Sequence, residues 1–103
     1  MRIGVPKEIK AQESRVGLTP DSVKILVSNG HEILVENNSG FEAGFDNDQY
    51  EKAGAKIVSQ ATDIFDDSEI IVKVKEPIDS EIAMIKENQV VFTYLHLAAG
   101  KEL

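Results

Sequence analysis

Short apolar runs separated by segments of helical or turn character constrain this chain more than any other feature. The runs cover residues 2–5, 31–36, 56–58, 69–73 and 90–93. Strands that alternate with helices are joined by crossovers, and crossovers connect parallel neighbours. The expected fold class is therefore α/β, an open, mostly parallel sheet with helices on both faces, Rossmann- or flavodoxin-like and incomplete. Helix signals fall where this arrangement needs them. Thr19-Pro20-Asp21 supplies an N-cap, a proline at the first helical position and an acid in the first turn. Val23, Leu26 and Val27 share one face, and Gly30 is the expected stop. Asp46 is the expected cap of a short helix running through Tyr50 to Ala53 and stopped by Gly54. Further helices are expected over 59–65 and 79–86.

Size and charge limit what such a fold can do. A chain of 103 residues makes one small domain with a single modest core. At 42% hydrophobic and 28% charged residues it is too apolar for intrinsic disorder. A formal net charge of -7, with no run of Lys or Arg, argues against nucleic acid and anionic membranes as partners. No apolar run approaches membrane-spanning length, and Met1 leads directly into a strand with no leader pattern. The chain has no cysteine, which excludes disulfides and thiolate metal sites and makes the cytoplasm the expected compartment. Two distant histidines without cysteine argue against a transition-metal site.

Three polar residues follow strand runs: Arg15 after 2–5, Lys75 after 69–73 and His96 after 90–93. Parallel strands would bring all three to one edge of the sheet, where open α/β folds place their ligand crevice. A guanidinium, an ammonium and an imidazole gathered there describe a site for a small carboxylate on which proton chemistry is done. Arg suits a bidentate grip on a carboxylate, a positioned Lys can hold a negative oxygen, and imidazole titrates near neutrality. Each residue also has a plainer reading: Arg15 as a solvated partner of Glu8 or Glu13, Lys73 and Lys75 as the polar end of a strand, His96 as a structural histidine. His31 opens a strand at the opposite edge and reads as a surface residue. Asp66-Asp67 reads as a solvated turn. The link over 7–17 is long for a strand-to-helix connection, and such loops often carry function. Gly40 and Gly44 are spaced GxxxG, not GxGxxG, so the chain shows no nucleotide motif of its own.

Four separated segments carry a resemblance. Met1-Arg-Ile-Gly-Val-Pro-Lys-Glu-Ile-Lys, Glu13-Ser-Arg-Val-Gly-Leu-Thr-Pro, Val72-Lys-Val-Lys-Glu-Pro and Phe92-Thr-Tyr-Leu-His-Leu-Ala together resemble the amino-terminal part of the alanine dehydrogenase family. The match runs along the whole chain. It implies NAD-dependent oxidative deamination of L-alanine to pyruvate and ammonia, reversibly, with NAD as cofactor. It also implies that Arg15 holds the substrate carboxylate and that Lys75 contacts the carboxylate and the reacting oxygen. His96 then acts as the acid/base, and Tyr94 lies near the substrate. These include the three strand-end residues identified independently above.

Family members continue through a dinucleotide-binding domain and then return to complete the substrate domain. Residues 1–103 are therefore expected to be the amino-terminal part of the substrate-binding domain, with the NAD-binding domain absent and the isolated fragment inactive. The segment from His96 to Leu103 reads as the start of a connection with no stop signal, which fits that expectation. A homo-oligomer, a hexamer at full length, is implied by the resemblance. Two alternatives remain open. One is the first domain of the alpha subunit of a proton-translocating nicotinamide nucleotide transhydrogenase, which shares the opening motif but typically lacks the Lys-Glu-Pro and Tyr-Leu-His groups. The other is a non-catalytic module that binds a small anion.

Overall fold

The computed structural model describes residues 1–9, 15–75 and 77–94. Five strands, β1 (Arg2–Val5), β2 (Glu32–Glu36), β3 (Lys56–Val58), β4 (Ile70–Lys73) and β5 (Val90–Thr93), form one sheet in the order β3-β2-β1-β4-β5. Every pairing is parallel, with Ile3 opposite both Ile33 and Ile70, and Val72 opposite Phe92. The expected α/β class with a parallel sheet is what the structure shows.

Among the described residues, four α-helices connect the strands, α1 (Pro20–Ser28), α2 (Asn47–Lys52), α3 (Ala61–Asp67) and the single turn α4 (Asp79–Ile82), with a short 3-10 turn at Phe41–Ala43 before α2. Period-two alternation sends neighbouring residues of each strand to opposite faces. Ile3, Val5, Ile33 and Val35 meet Val23 of α1 and Tyr50 of α2 on one side. Leu34 and Ile71 meet Ile64 and Phe65 of α3 on the other. Helices thus cover both faces, and the core is split by the sheet.

The helix signals act as the sequence predicts. Thr19 accepts from the Ser22 amide at 3.3 Å, and Pro20 begins α1. Asp46 accepts from the Gln49 amide while the Gln49 side chain accepts from the Asp46 amide, a complete capping box. Gly30 and Gly54, the two expected stops, sit at φ 91° and 106°, where a side chain would be strained.

Three expectations need correction. The helix expected over 79–86 ends at Ile82, which is exposed, while Met84 and Ile85 turn against the Phe65 and Ile71 cluster. Tertiary burial wins over local helical pattern there. Helix α3 runs two residues later than expected, so Asp66 and Asp67 form its exposed last turn, and Asp66 pairs with Lys86 at 2.8 Å. His31 is half-buried, not a surface residue, because the chain folds back on α1 and its amide donates to the Leu26 carbonyl at 3.1 Å.

Candidate functional site

The winding of the sheet reverses between β1 and β4. From β1 the chain progresses through β2 to β3 on one side, then crosses back to β4 and β5 on the other. The connections leaving β1 and β4 therefore diverge, and a crevice opens at the carboxyl ends of these strands, where ligands bind in open α/β sheets.

The link after β1 descends onto this crevice and is held there by specific contacts. At Gly17 the missing Cβ would lie 2.5 Å from the Val72 carbonyl oxygen, so only glycine permits the backbone to approach β4 so closely. The Tyr94 hydroxyl, just beyond β5, donates to the Gly17 carbonyl. The Tyr50 hydroxyl, from α2, donates to the Leu18 carbonyl at 2.7 Å. Burial pushes the Tyr50 phenol up to about 12 and raises that of Tyr94, so both remain protonated donors at neutral pH.

Beneath this loop is a cavity of about 270 Å³. Val16, Ala43, Phe45 and Val74 supply its apolar wall, and Arg15, Thr19 and Tyr94 its polar groups. The space suits a ligand of few heavy atoms, since drug-sized ligands occupy about 300–1,000 Å³. Thr19, which caps α1, and Arg15 both line the cavity, so a helix amino terminus and a cationic residue lie beside it. Both features favour an anionic ligand.

Of the residues singled out from sequence, Arg15 and Tyr94 come from opposite ends of the chain to line this one cavity. Lys75 is half-buried just past β4, directly after the cavity residue Val74. His96 lies outside the described residues, as does Glu13.

A cluster that the sequence reading missed lies beside this crevice. Lys73, at the end of β4, is 1% exposed, not the solvated strand end that its position suggests. Its ammonium stands 3.2 Å from Glu8 Oε1 and 2.9 Å from Glu81 Oε2. The Glu81 contact is ionic without well-directed hydrogen-bond geometry, and the other Glu81 oxygen accepts from the Ile78 amide at 3.0 Å. Glu8 in turn accepts from the amides of Val74 at 2.9 Å and Lys75 at 3.4 Å. The available signal was the alternation of β4, which puts Lys73 on the same buried side as Ile71 and so demands a counterion. One residue earlier, the Lys7 amide donates to Glu36 Oε1 at 2.8 Å. Residues 7 and 8 thus moor the β1 exit to β2 on one side and β4 on the other. Desolvation raises the Glu36 carboxyl above its ordinary value, against the opposing pull of the Lys7 amide and ammonium.

Residues 4–103 match the family model described as the alanine dehydrogenase/PNT N-terminal domain. The chain belongs to that family. Over all 103 residues this family member is 52% identical to the alanine dehydrogenase of Bacillus subtilis and 47% identical to that of Methanococcus maripaludis. It spans 27% and 28% of the lengths of those two relatives. A solved L-alanine dehydrogenase superposes on 99% of the chain with a TM-score of 0.91 at 51% identity, over 28% of its own length. A transhydrogenase from Sinorhizobium meliloti superposes on 99% with a TM-score of 0.88 at 30% identity, over 30% of its length. The fold described above is therefore that of an alanine dehydrogenase/PNT N-terminal domain. No helix among the described residues is long and apolar enough to cross a membrane.

Proposed function

We propose that this chain is the amino-terminal part of the substrate domain of an NAD-dependent alanine dehydrogenase, which interconverts L-alanine with pyruvate and ammonia. The observation that carries this reading is the convergence of Arg15 and Tyr94 on one small cavity at the switch point of the sheet. The higher identity to alanine dehydrogenases than to the transhydrogenase favours the same reading.

In this reading Arg15 grips the substrate carboxylate, and Tyr94 keeps the loop carrying Arg15 against the sheet. Lys75 holds the oxygen that becomes the pyruvate carbonyl, where developing negative charge benefits most from a fixed cation. His96 takes the proton from the carbinolamine hydroxyl as ammonia leaves and returns it in the reverse direction, help typically worth about 10²- to 10⁴-fold in rate. The apolar wall of Val16, Phe45 and Val74 excludes water around the methyl group.

NAD supplies the hydride acceptor in this chemistry, but the described residues do not fit its pyrophosphate. Where dinucleotide folds carry a glycine-rich turn, the β1 exit here carries Pro6-Lys7-Glu8, with the Glu8 carboxylate occupying the backbone amides beyond β4. The cofactor is then held by the remainder of a longer protein, and the 103-residue chain alone does not turn over alanine.

The test is NAD reduction driven by L-alanine, measured on the full-length gene product that carries this chain. Arg15→Lys should raise KM for alanine and pyruvate about tenfold or more, because a point charge cannot reproduce a bidentate grip. His96→Ala should depress kcat while leaving NAD binding intact. Hydride exchange between two nucleotides without alanine dependence would support the transhydrogenase alternative and overturn the proposal. Anion binding without turnover would support the non-catalytic module.

A further inference from the structure

Past Lys73, the last ladder residue of β4, the amides of Val74 and Lys75 are both received by the carboxylate of Glu8. Val74 is part of the cavity wall and Lys75 is the next residue. The Glu8 side chain is 3% exposed and belongs to the exit segment of a different strand, β1. Its placement is enforced, because Lys73 pairs with it at 3.2 Å and Glu36 fixes the preceding amide at 2.8 Å. A buried carboxylate bonded to two amides and an ammonium has little freedom to move.

We infer that Glu8 is a positioning residue, whose two oxygens set the path of the Val74-Lys75 backbone and thereby aim Lys75 at the substrate oxygen. The inference rests on the alanine dehydrogenase reading for the role of Lys75. Lys73 and Glu81 have a different part: they balance charge in the cluster, and neither accepts from the Val74 or Lys75 amide. Removing charge from Glu8 and from Glu81 changes the formal charge of the cluster equally. Only the first disturbs the amides.

The test compares Glu8→Asp, Glu8→Gln and Glu81→Gln in the full-length protein. Glu8→Asp keeps the charge but is one methylene too short to reach both amides, and it guards against a Glu8→Gln protein that fails to fold. Ångström-scale displacement of a catalytic group costs up to about 10²-fold, so kcat for alanine should fall roughly 10- to 100-fold in Glu8→Asp. Glu81→Gln, which can still accept from Ile78, should stay within about threefold of the parent. In a Lys75→Met background, Glu8→Asp should cause little further loss, as expected of residues acting through one another. Equal losses in Glu8→Asp and Glu81→Gln, or full additivity with Lys75→Met, would overturn the inference.

Amide hydrogen exchange at Val74 and Lys75 supplies a readout that needs no alanine turnover. Faster exchange in Glu8→Asp than in Glu81→Gln supports the positioning role, and unchanged exchange overturns it. A parent protein inactive with alanine but showing that exchange pattern would instead count against the functional reading while leaving the Glu8 tether standing.

Discussion

Tyr50 and Tyr94 donate to consecutive carbonyl oxygens, those of Leu18 and Gly17, one from helix α2 and the other from just beyond β5. The two bonds differ in setting. Tyr50 is fully buried, with Phe45 edge-on at 6.5 Å, whereas Tyr94 is 45% exposed. Tyr50→Phe should therefore cost about 1–2 kcal/mol by leaving a carbonyl unpaired, measured by urea unfolding. Tyr94→Phe should cost less stability and act mainly on ligand affinity, raising KM for pyruvate severalfold as the Arg15 loop loosens.

Gly17→Ala should lift that loop from β4. Its new methyl group would meet the Val72 carbonyl, a backbone atom that cannot swing aside. A destabilisation of about 1–3 kcal/mol is expected, together with weaker substrate binding. A variant that unfolds and binds as the parent does would show that the loop adapts at no cost.

Lys73→Met should be among the most damaging single changes outside the apolar core. It would leave Glu8 and Glu81 facing each other without a cation, and breaking a buried pair costs about 3–5 kcal/mol. The double change Lys73→Met with Glu81→Leu should recover part of that loss, since one buried charge goes with it. Chemical denaturation of both variants checks the order.

The pH dependence of stability should show two features of defined sign. The folded state holds the Tyr50 proton up to about 12 against an ordinary value of 10.0, so it binds more protons than the unfolded chain in that window. Stability then falls as pH rises from 10.0 to about 12, and the advantage over Tyr50→Phe shrinks. Glu36 is also raised, from 4.5, and its ionised form is the penalised one. The parent therefore loses stability from this group as pH rises above 4.5, whereas Glu36→Gln, which can still accept from Lys7 and does not titrate, should gain on the parent there and match it at lower pH. Unfolding free energies measured across these ranges test both signs.

The strands, the caps and the parallel class of the sheet follow from signals that are local in sequence. Thr19-Pro20 and Asp46 mark helix starts by backbone chemistry, and the apolar runs mark strands, so Arg15 and Lys75 could be assigned to strand exits without coordinates. Distance along the chain hid the remainder. Nothing near Lys73 in sequence reveals that Glu8, 65 residues away, is its counterion. Nothing near Gly17 reveals Tyr94, 77 residues away, as the donor to its carbonyl. The early end of α4 was hidden for the same reason: Met84 and Ile85 are drawn to Phe65 and Ile71, not to their own helix.

The central place of β1 also shapes how the chain comes to its fold. Ile3 pairs with Ile33 on one edge and with Ile70 on the other. At synthesis rates of about 5–20 residues per second, β1 waits roughly 3–13 seconds for its second neighbour, β4, to be translated. Through that interval one edge of β1 has no native partner, and the crevice between β1 and β4 cannot yet exist. The site is thus assembled only after β4 has been made, well after β1 itself.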